Sequence, residues 1–403
     1  MKYKLSEIGR IVTGKTPSTK NKTFFSEELD KYLFVTPRDM NGSEKTIKET
    51  ERYLTDEVTN TFKNLVINDK SICVSCIGII GKVFMPSGPA ITNQQINSIT
   101  EIKNFVLPDY LYYYLTIHQK DIENLAGGTT MPIVNKTSFE QLEVEIPDLE
   151  TQKKVVKVLS VLDQKIELNN QQNDTLFNII KSIFRQQFYQ KGSDCFLSDY
   201  ILTEINGDWG KDKKEDGTEK VYCIRGADIP DMEYGHKGNA PNRFVLEKRL
   251  EKKSLSEDDI IIEISGGSPT QSTGRTAYIT QEIIDMYDAP LLCTNFCKAI
   301  KVKDRFFAPF IYMYLKLLYE DDILFNWENG TTGIKNLALS SLLFNTKVQY
   351  FSEKEVKRFY DQFYSIVNKI SKNSAKNMNL IQMRDTLLPK LMSDKIDLGN
   401  VNL

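Results

Sequence analysis

Two stretches of this chain carry core-type residues at alternating spacings of three and four for about five heptads. The first runs through Leu159, Leu162, Ile166, Asn169, Asn173, Leu176, Ile180 and Ile183. The second runs through Val356, Phe359, Phe363, Ile366, Ile370, Asn373, Asn377, Leu380, Arg384, Leu387 and Leu391. A stripe of that length is a coiled-coil seam, and it predicts one helix from near Glu150 to about Tyr189 and another from about Ser352 to Met392. Two core helices of ordinary domains would not need so sustained a pattern. Four seam positions are asparagine, and the pair 169/173 is spaced like the pair 373/377. In an antiparallel coil Asn169 faces Asn377 and Asn173 faces Asn373. Buried amides then satisfy one another, whereas an amide facing leucine is desolvated without a partner. These four residues are therefore expected to fix the register of the coil.

The rest of the chain has a shorter rhythm. Asp69–Gly78 and Asp259–Gly267 have the β-branched content and glycine punctuation of a strand followed by a turn. Tyrosine-rich segments, Leu107–Leu115 and Phe307–Leu315, each contain a proline near the start and read as amphipathic helices. These segments also reveal a duplication, the first thing to look for in a chain of this length. Leu5-Ser6 matches Leu197-Ser198, and Ile91-Thr92-Asn93-Gln94-Gln95 matches Cys293-Thr294-Asn295-Phe296-Cys297. The tyrosine-rich segments match each other, and Gly127-Gly128-Thr129-Thr130 matches Asn329-Gly330-Thr331-Thr332. All four pairs occur in the same order at a period of roughly 200 residues. The predicted fold is α/β (α+β): two mixed globular domains, 1–149 and 191–351, joined by an antiparallel coiled coil of helices 150–190 and 352–403, the latter including a C-terminal tail.

Composition narrows the class. Hydrophobic residues make up 40% and charged residues 26% of the 403 positions, ordinary for a globular protein. No apolar run approaches a membrane span, and the first residues lack a signal-peptide core. Six cysteines in so long a chain do not form a disulfide framework, so a reduced, cytoplasmic protein is expected. The net charge of −2 is not that of a free-standing nucleic-acid binder, which carries a basic excess. It is compatible with a basic groove on part of the surface and with partners that supply further affinity.

Asp163-Gln164-Lys165-Ile166-Glu167-Leu168-Asn169-Asn170 resembles the helix that follows the first target recognition domain in type I restriction-modification specificity subunits. Met383-Arg384-Asp385-Thr386-Leu387-Leu388-Pro389-Lys390-Leu391-Met392-Ser393 resembles the C-terminal signature of that family. Leu5-Ser6-Glu7-Ile8-Gly9 and Thr13-Gly14-Lys15-Thr16-Pro17-Ser18 are also similar to it. The resemblance spans the chain. It implies that each globular domain reads one half of a bipartite site in double-stranded DNA, with the coil as spacer. It implies that the helices dock two modification subunits, which bind S-adenosylmethionine and methylate adenine, and that two restriction subunits using ATP and Mg join in some complexes. The chain itself would bind no cofactor and catalyse nothing. Two other readings remain open: a coiled-coil adaptor that binds protein alone, and the specificity module of a combined restriction-methylation enzyme.

Other motifs compete with this reading. Gly9–Thr16 matches the phosphate-binding P-loop pattern letter for letter, but only eight residues precede it and Pro17 follows at once, whereas a P-loop lies between a buried strand and a helix. Cys73 and Cys76 have metal-like spacing, yet on a regular strand they point to opposite faces, and zinc needs four converging ligands. His118 and His236 are the only histidines, which argues against a histidine-based catalytic site. No Asn-Pro-Pro-Tyr type motif of adenine methyltransferases occurs, so methyl transfer would belong to a partner. Candidate DNA contacts fall in expected loops, where side chains for direct readout or phosphate contact usually sit. In the first half they are Lys15, Thr16, Arg38, Asn41, Gln94, Gln95, Gly128, Thr129, Thr130 and Lys136. In the second half they are Arg225, Asp228, Arg275, Asn295, Thr331, Thr332, Lys335 and Asn336.

Overall fold

The computed structural model describes residues 1–26, 32–40, 45–127, 132–189, 191–268, 271–330 and 335–393. Asn41, Gly128, Thr129, Thr130, Thr331 and Thr332 lie outside these. By its contacts the chain divides into one unit of Met1–Glu167 with Leu380–Leu403, and a second of Leu168–Asn379. That division cuts across the sequence-based one, because each long helix contributes to both units.

Among the described residues of the first unit, the main sheet has the order Arg10–Thr13, Ile96–Thr100, Ile72–Ser75, Val83–Pro86, Thr46–Ile47. A second sheet sets Tyr32–Val35 parallel to Ala90–Thr92. The tyrosine-rich helix Pro108–Ile117 starts on its proline, whose missing N–H costs nothing at a helix N-terminus. It differs from the expected amphipathic helix, since Tyr110 through Leu115 are all buried. The reason is its position in a core that draws on the sheet (Ile72, Val74, Ile99) and on both long helices (Val155, Leu159, Leu388, Leu391). A helix apolar on every side is stable where every side is covered. Tyr113 extends this attachment by donating its hydroxyl to Asp163, which also holds Arg384 at 3.0 Å.

The second unit repeats the scheme. Its main sheet runs Ile201–Asn206, Cys297–Val302, Ile260–Glu263, Thr276–Tyr278. Thr218–Ile224 lies parallel to Leu291–Cys293, the counterpart of the parallel pair in the first unit. Helix Ala308–Glu320 is buried from Ala308 through Leu318, again on all sides rather than on one face.

The long helices span Leu149–Gln187 and Glu353–Met392. Within the second unit they are antiparallel neighbours: Asn169 donates to Asn377 at 2.7 Å, and Asn373 donates to Asn173 at 2.9 Å. All four are at least 96% buried. Toward the end of the first helix the buried stripe keeps the expected Ile180 but runs through Phe177, Phe184 and Phe188, while the expected Leu176 and Ile183 are only half-buried. An α-helix turns every 3.6 residues, so a strict seven-residue repeat drifts off one face unless the helices supercoil. Here the stripe changes because the helix end packs into a globular core, where Phe184 and Phe188 meet Phe310 and Phe359. Likewise, near the end of the second helix Leu388 is buried beside the expected Leu391, while the expected Leu387 is half-buried.

Candidate functional site

In the first unit one edge of the main sheet, the rim where strand Arg10–Thr13 ends, Ile96–Thr100 begins and Ile72–Ser75 ends, is assembled from several chain segments. Gly14 N–H donates to Ile96 O at 3.1 Å and Lys15 N–H to Thr92 O at 2.9 Å, so the loop after strand Arg10–Thr13 lies along the turn 92–96. That turn is closed by Ile96 N–H on Asn93 O, and tied to the second sheet by Asn93 N–H on Val35 O. Cys76 N–H bonds Gln95 O, and Val134 N–H bonds Cys76 O, which brings the segment after Gly127 to the same edge. Gly14 is required by this packing: a Cβ there would lie 2.2 Å from Asn93 O and 2.3 Å from Thr92 O.

The second unit makes the same six bonds. Gly207 N–H bonds Cys297 O, Asp208 N–H bonds Cys293 O, and Cys297 N–H bonds Thr294 O. Thr294 N–H bonds Ile224 O, Ile264 N–H bonds Phe296 O, and Leu337 N–H bonds Ile264 O. A Cβ on Gly207 would lie 1.9 Å from Thr294 O. The duplication is therefore one of backbone connectivity. It also corrects the sequence match by one residue: Asn93 corresponds to Thr294 and Gln95 to Phe296, because letter identity paired the Thr-Asn dipeptides while the hydrogen bonds do not. A further equivalence follows from the strand before each edge. Thr36 N–H bonds Asp39 at 2.7 Å and Arg225 N–H bonds Asp228 at 2.9 Å, each aspartate closing a short 3-10 turn.

The candidate side chains divide accordingly. Lys15 and Thr16 are exposed at the first edge, Lys15 lying 5.7 Å from the Phe62 ring and Thr16 donating to Gln94 at 2.7 Å. Gln94 is exposed beside half-buried Gln95, whose side-chain oxygen accepts from Asn93 at 2.9 Å. Arg38 is exposed on the neighbouring 3-10 turn, 3.7 Å from Glu51. Lys136 opens the helix Lys136–Glu140 two residues after Val134 and reaches Glu140 at 3.6 Å. In the second unit Asn295 is exposed on the turn. Asn336 is exposed on the strand that pairs with Ser265–Gly266, and its side-chain oxygen accepts from Ser265.

Three candidates are occupied within the fold. Asp228 is 2% exposed; it accepts from Arg225 Nε and Nη2, both at 2.9 Å, and from Asn239 N–H at 3.0 Å. Burial alone would raise its pKa, but these donors outweigh it and hold the carboxyl below its ordinary value. It is a positioning group for Arg225 rather than a surface acceptor. Arg275 clasps Glu263 through two bonds of 2.9 and 2.7 Å, and its partner is buried. Lys335 is held 2.7 Å from buried Glu328, over the Phe325 ring. Sequence reading could not see these acids as partners, because Glu263 and Glu328 reach their cations across strand pairings that no local spacing announces.

Sequence reasoning also passed over Trp209 and Phe296, which are 38% and 55% exposed at the second edge. Asp208 stands there where the first unit has Lys15, and it is neutralised by Lys253 at 3.1 Å and Arg249 at 3.2 Å.

The remaining motifs resolve into structure. Strand Arg10–Thr13 runs through the P-loop-like pattern, so residues that would need to cradle a phosphate form a ladder with Ile96–Thr100. Cys73 and Cys76 belong to different cores. Burial pushes their thiols up to about 12 and about 11. His118 stacks on Tyr114 and its Nδ1 lies 2.7 Å from Tyr114 O. Among the described residues no group of three or more His, Cys, Asp or Glu is arranged to hold a metal, and no helix is long and apolar enough to cross a membrane.

Residues 1–178 match the family model for the Type I restriction modification DNA specificity domain. A type I restriction enzyme specificity subunit of Methanocaldococcus jannaschii is 25% identical over 415 residues, covering 96% of this chain and 91% of that one. One from Haemophilus influenzae is 37% identical over 177 residues, covering 40% of this chain and 36% of that one. The crystal structure of a type I restriction-modification S subunit from M. genitalium aligns with a TM-score of 0.48 at 18% identity, over 97% of this chain and 95% of that one. Residues 1–178 thus match a type I restriction modification DNA specificity domain, and the chain along most of its length is similar to type I restriction enzyme specificity subunits.

Proposed function

We propose that each unit reads one half of a bipartite target in double-stranded DNA through its sheet edge, and that the chain catalyses no step itself. The observation that carries this is the pair of edges built on the same backbone bonds but dressed with different exposed side chains: Lys15, Thr16 and Gln94 on one, Trp209, Asn295 and Phe296 on the other. A shared scaffold with unlike surfaces suits two readers of unlike sequence. Amide side chains pair with adenine edges, and small hydroxyl and basic groups suit phosphate contacts.

The long helices serve as spacer and as docking ground for two modification subunits. A helix of 39 residues extends roughly 60 Å at 1.5 Å per residue, and a turn of B-DNA is about 34–36 Å. S-adenosylmethionine would be bound by the modification subunits, and ATP and Mg by restriction subunits where these join. The asparagine layers would hold the register that sets the spacing. The complex would work in the cytoplasm, where its DNA is. The test is selection from a random duplex pool by the chain together with its modification subunits. The expected result is two short specified blocks separated by an unspecified gap; binding of all sequences alike would reject the reading.

A further inference from the structure

We infer that Phe296 is a specificity-determining residue that contacts a thymine 5-methyl group in the half-site read by the second unit. The inference rests on the proposed DNA-reading role of the sheet edge and names one contact within it. Three observations lead to it. First, the six shared backbone bonds place Phe296 where the first unit has Gln95, on the turn at the centre of each edge. Second, the ring is 55% exposed, although its own strand neighbour Cys297 and the preceding Thr294 are buried. Leaving that much aromatic surface in water forfeits hydrophobic stabilisation. Third, the backbone beneath the ring is fixed. Phe296 O accepts from Ile264 N–H at 2.8 Å and Ser265 N–H at 3.2 Å, and the next residue is locked into the sheet. The ring therefore projects from a rigid base, as a positioned reader must.

The chemistry of the ring selects its target. A phenyl group neither donates nor accepts a conventional hydrogen bond, so it gains nothing from phosphates or amide-type base edges. The only apolar group in the major groove is the C5-methyl of thymine, and phenylalanine is among the side chains that contact it. Exposed Asn295 beside it adds an amide suited to adenine. The equivalent turn of the first unit, Gln94-Gln95, offers amides alone. The two half-sites are thus expected to differ, with the methyl-dependent position confined to one.

The test uses the full chain assembled with its modification subunits and a random duplex pool, comparing wild type with Phe296→Ala and Phe296→Gln. The unaltered half of the selected motif reports that each variant is folded. The expected result is loss of preference at one A·T position in one half-site, the other half being retained. Replacing that thymine by deoxyuridine should weaken wild-type binding about four-fold, as for one buried methyl group, and leave Phe296→Ala binding unchanged. A motif identical to wild type in both variants, or equal affinity for thymine and deoxyuridine in the wild type, would overturn the inference while leaving the bipartite reading intact. If the wild type selects no bipartite motif, both fall together.

Discussion

The side-chain amide of Asn169 donates to the side-chain oxygen of Asn377 at 2.7 Å, in a layer where both residues are at least 96% buried. Asn377 in turn donates to Asn170 at 2.7 Å, and one turn away Asn173 donates to Ser374 at 3.2 Å. Hydrophobic layers tolerate a slip along the coil because leucine meets leucine in either register. Amide layers do not, since a slip leaves each desolvated without its partner.

Asn377→Leu should therefore cost more than the exchange of one polar group for an apolar one. It strands the amide of Asn169, and a buried unsatisfied group costs about 1–3 kcal/mol. The combined Asn169→Leu and Asn377→Leu variant should recover most of that loss, because neither partner is then left unpaired. Urea unfolding of the single and double variants measures this. Additive losses in the double variant would contradict the pairing.

Gly14→Ala should disturb the first sheet edge without touching the second. The added Cβ would sit 2.2 Å from Asn93 O, so the turn must move or the strand must. Overpacking of this kind costs about 1–3 kcal/mol. Selection from random DNA should then show a weakened preference in one half-site only. Equal weakening of both halves would contradict the assignment of one edge to one half.

Asp228 gives a pH-dependent prediction. Its pKa is held below the ordinary carboxylate value of about 3.9. A depressed folded-state pKa contributes stability that is present above the unfolded value and lost as pH falls through the folded one. Arg225→Ala removes two of its donors, so the variant should be less stable than wild type at neutral pH, with a gap that narrows below about pH 4. Unfolding measured at pH 7 and at about pH 3 tests the sign; a gap that widens in acid would reject it.

The cysteines should be protected by the fold. Burial pushes the thiols of Cys73, Cys223 and Cys297 up to about 12, that of Cys76 to about 11 and that of Cys293 further. The thiolate is the reactive form, and burial also blocks access. Half-buried Cys195 is the sixth. Alkylation at pH 8 should modify Cys195 first, and all six residues only in denaturant. Rapid native labelling of Cys73 or Cys297 would contradict the placement.

The parts of this fold legible in sequence are those written in local periodicity. The 3–4 spacing marks both long helices, and the equal spacing of the Asn pairs marks which layers meet. The proline and tyrosine pattern marks Pro108–Ile117. What escaped depends on contacts between distant segments. The aromatic stripe Phe177–Phe184–Phe188 replaced Leu176 and Ile183 because the core facing it, not the helix, decides which residues are buried. Arg275 and Lys335 looked like free cations until Glu263 and Glu328 came to them across strands. The match of Thr92-Asn93 to Thr294-Asn295 was off by one because side-chain identity is a weaker guide to equivalence than the ladder that fixes register. Phe296 lies opposite a glutamine in either register, so its 55% exposure, which only the fold reveals, is what marks it.

The most direct test of the central claim is a map of methylated adenines in cells that express this chain with its modification subunits, compared with cells carrying Thr16→Ala and Gln94→Ala together. Two specified blocks with a fixed gap are expected for the wild type. In the variant, one block should lose definition while the other block and the gap length stay the same. A single continuous motif, or loss of both blocks at once, would contradict an account in which two sheet edges of one chain read two half-sites.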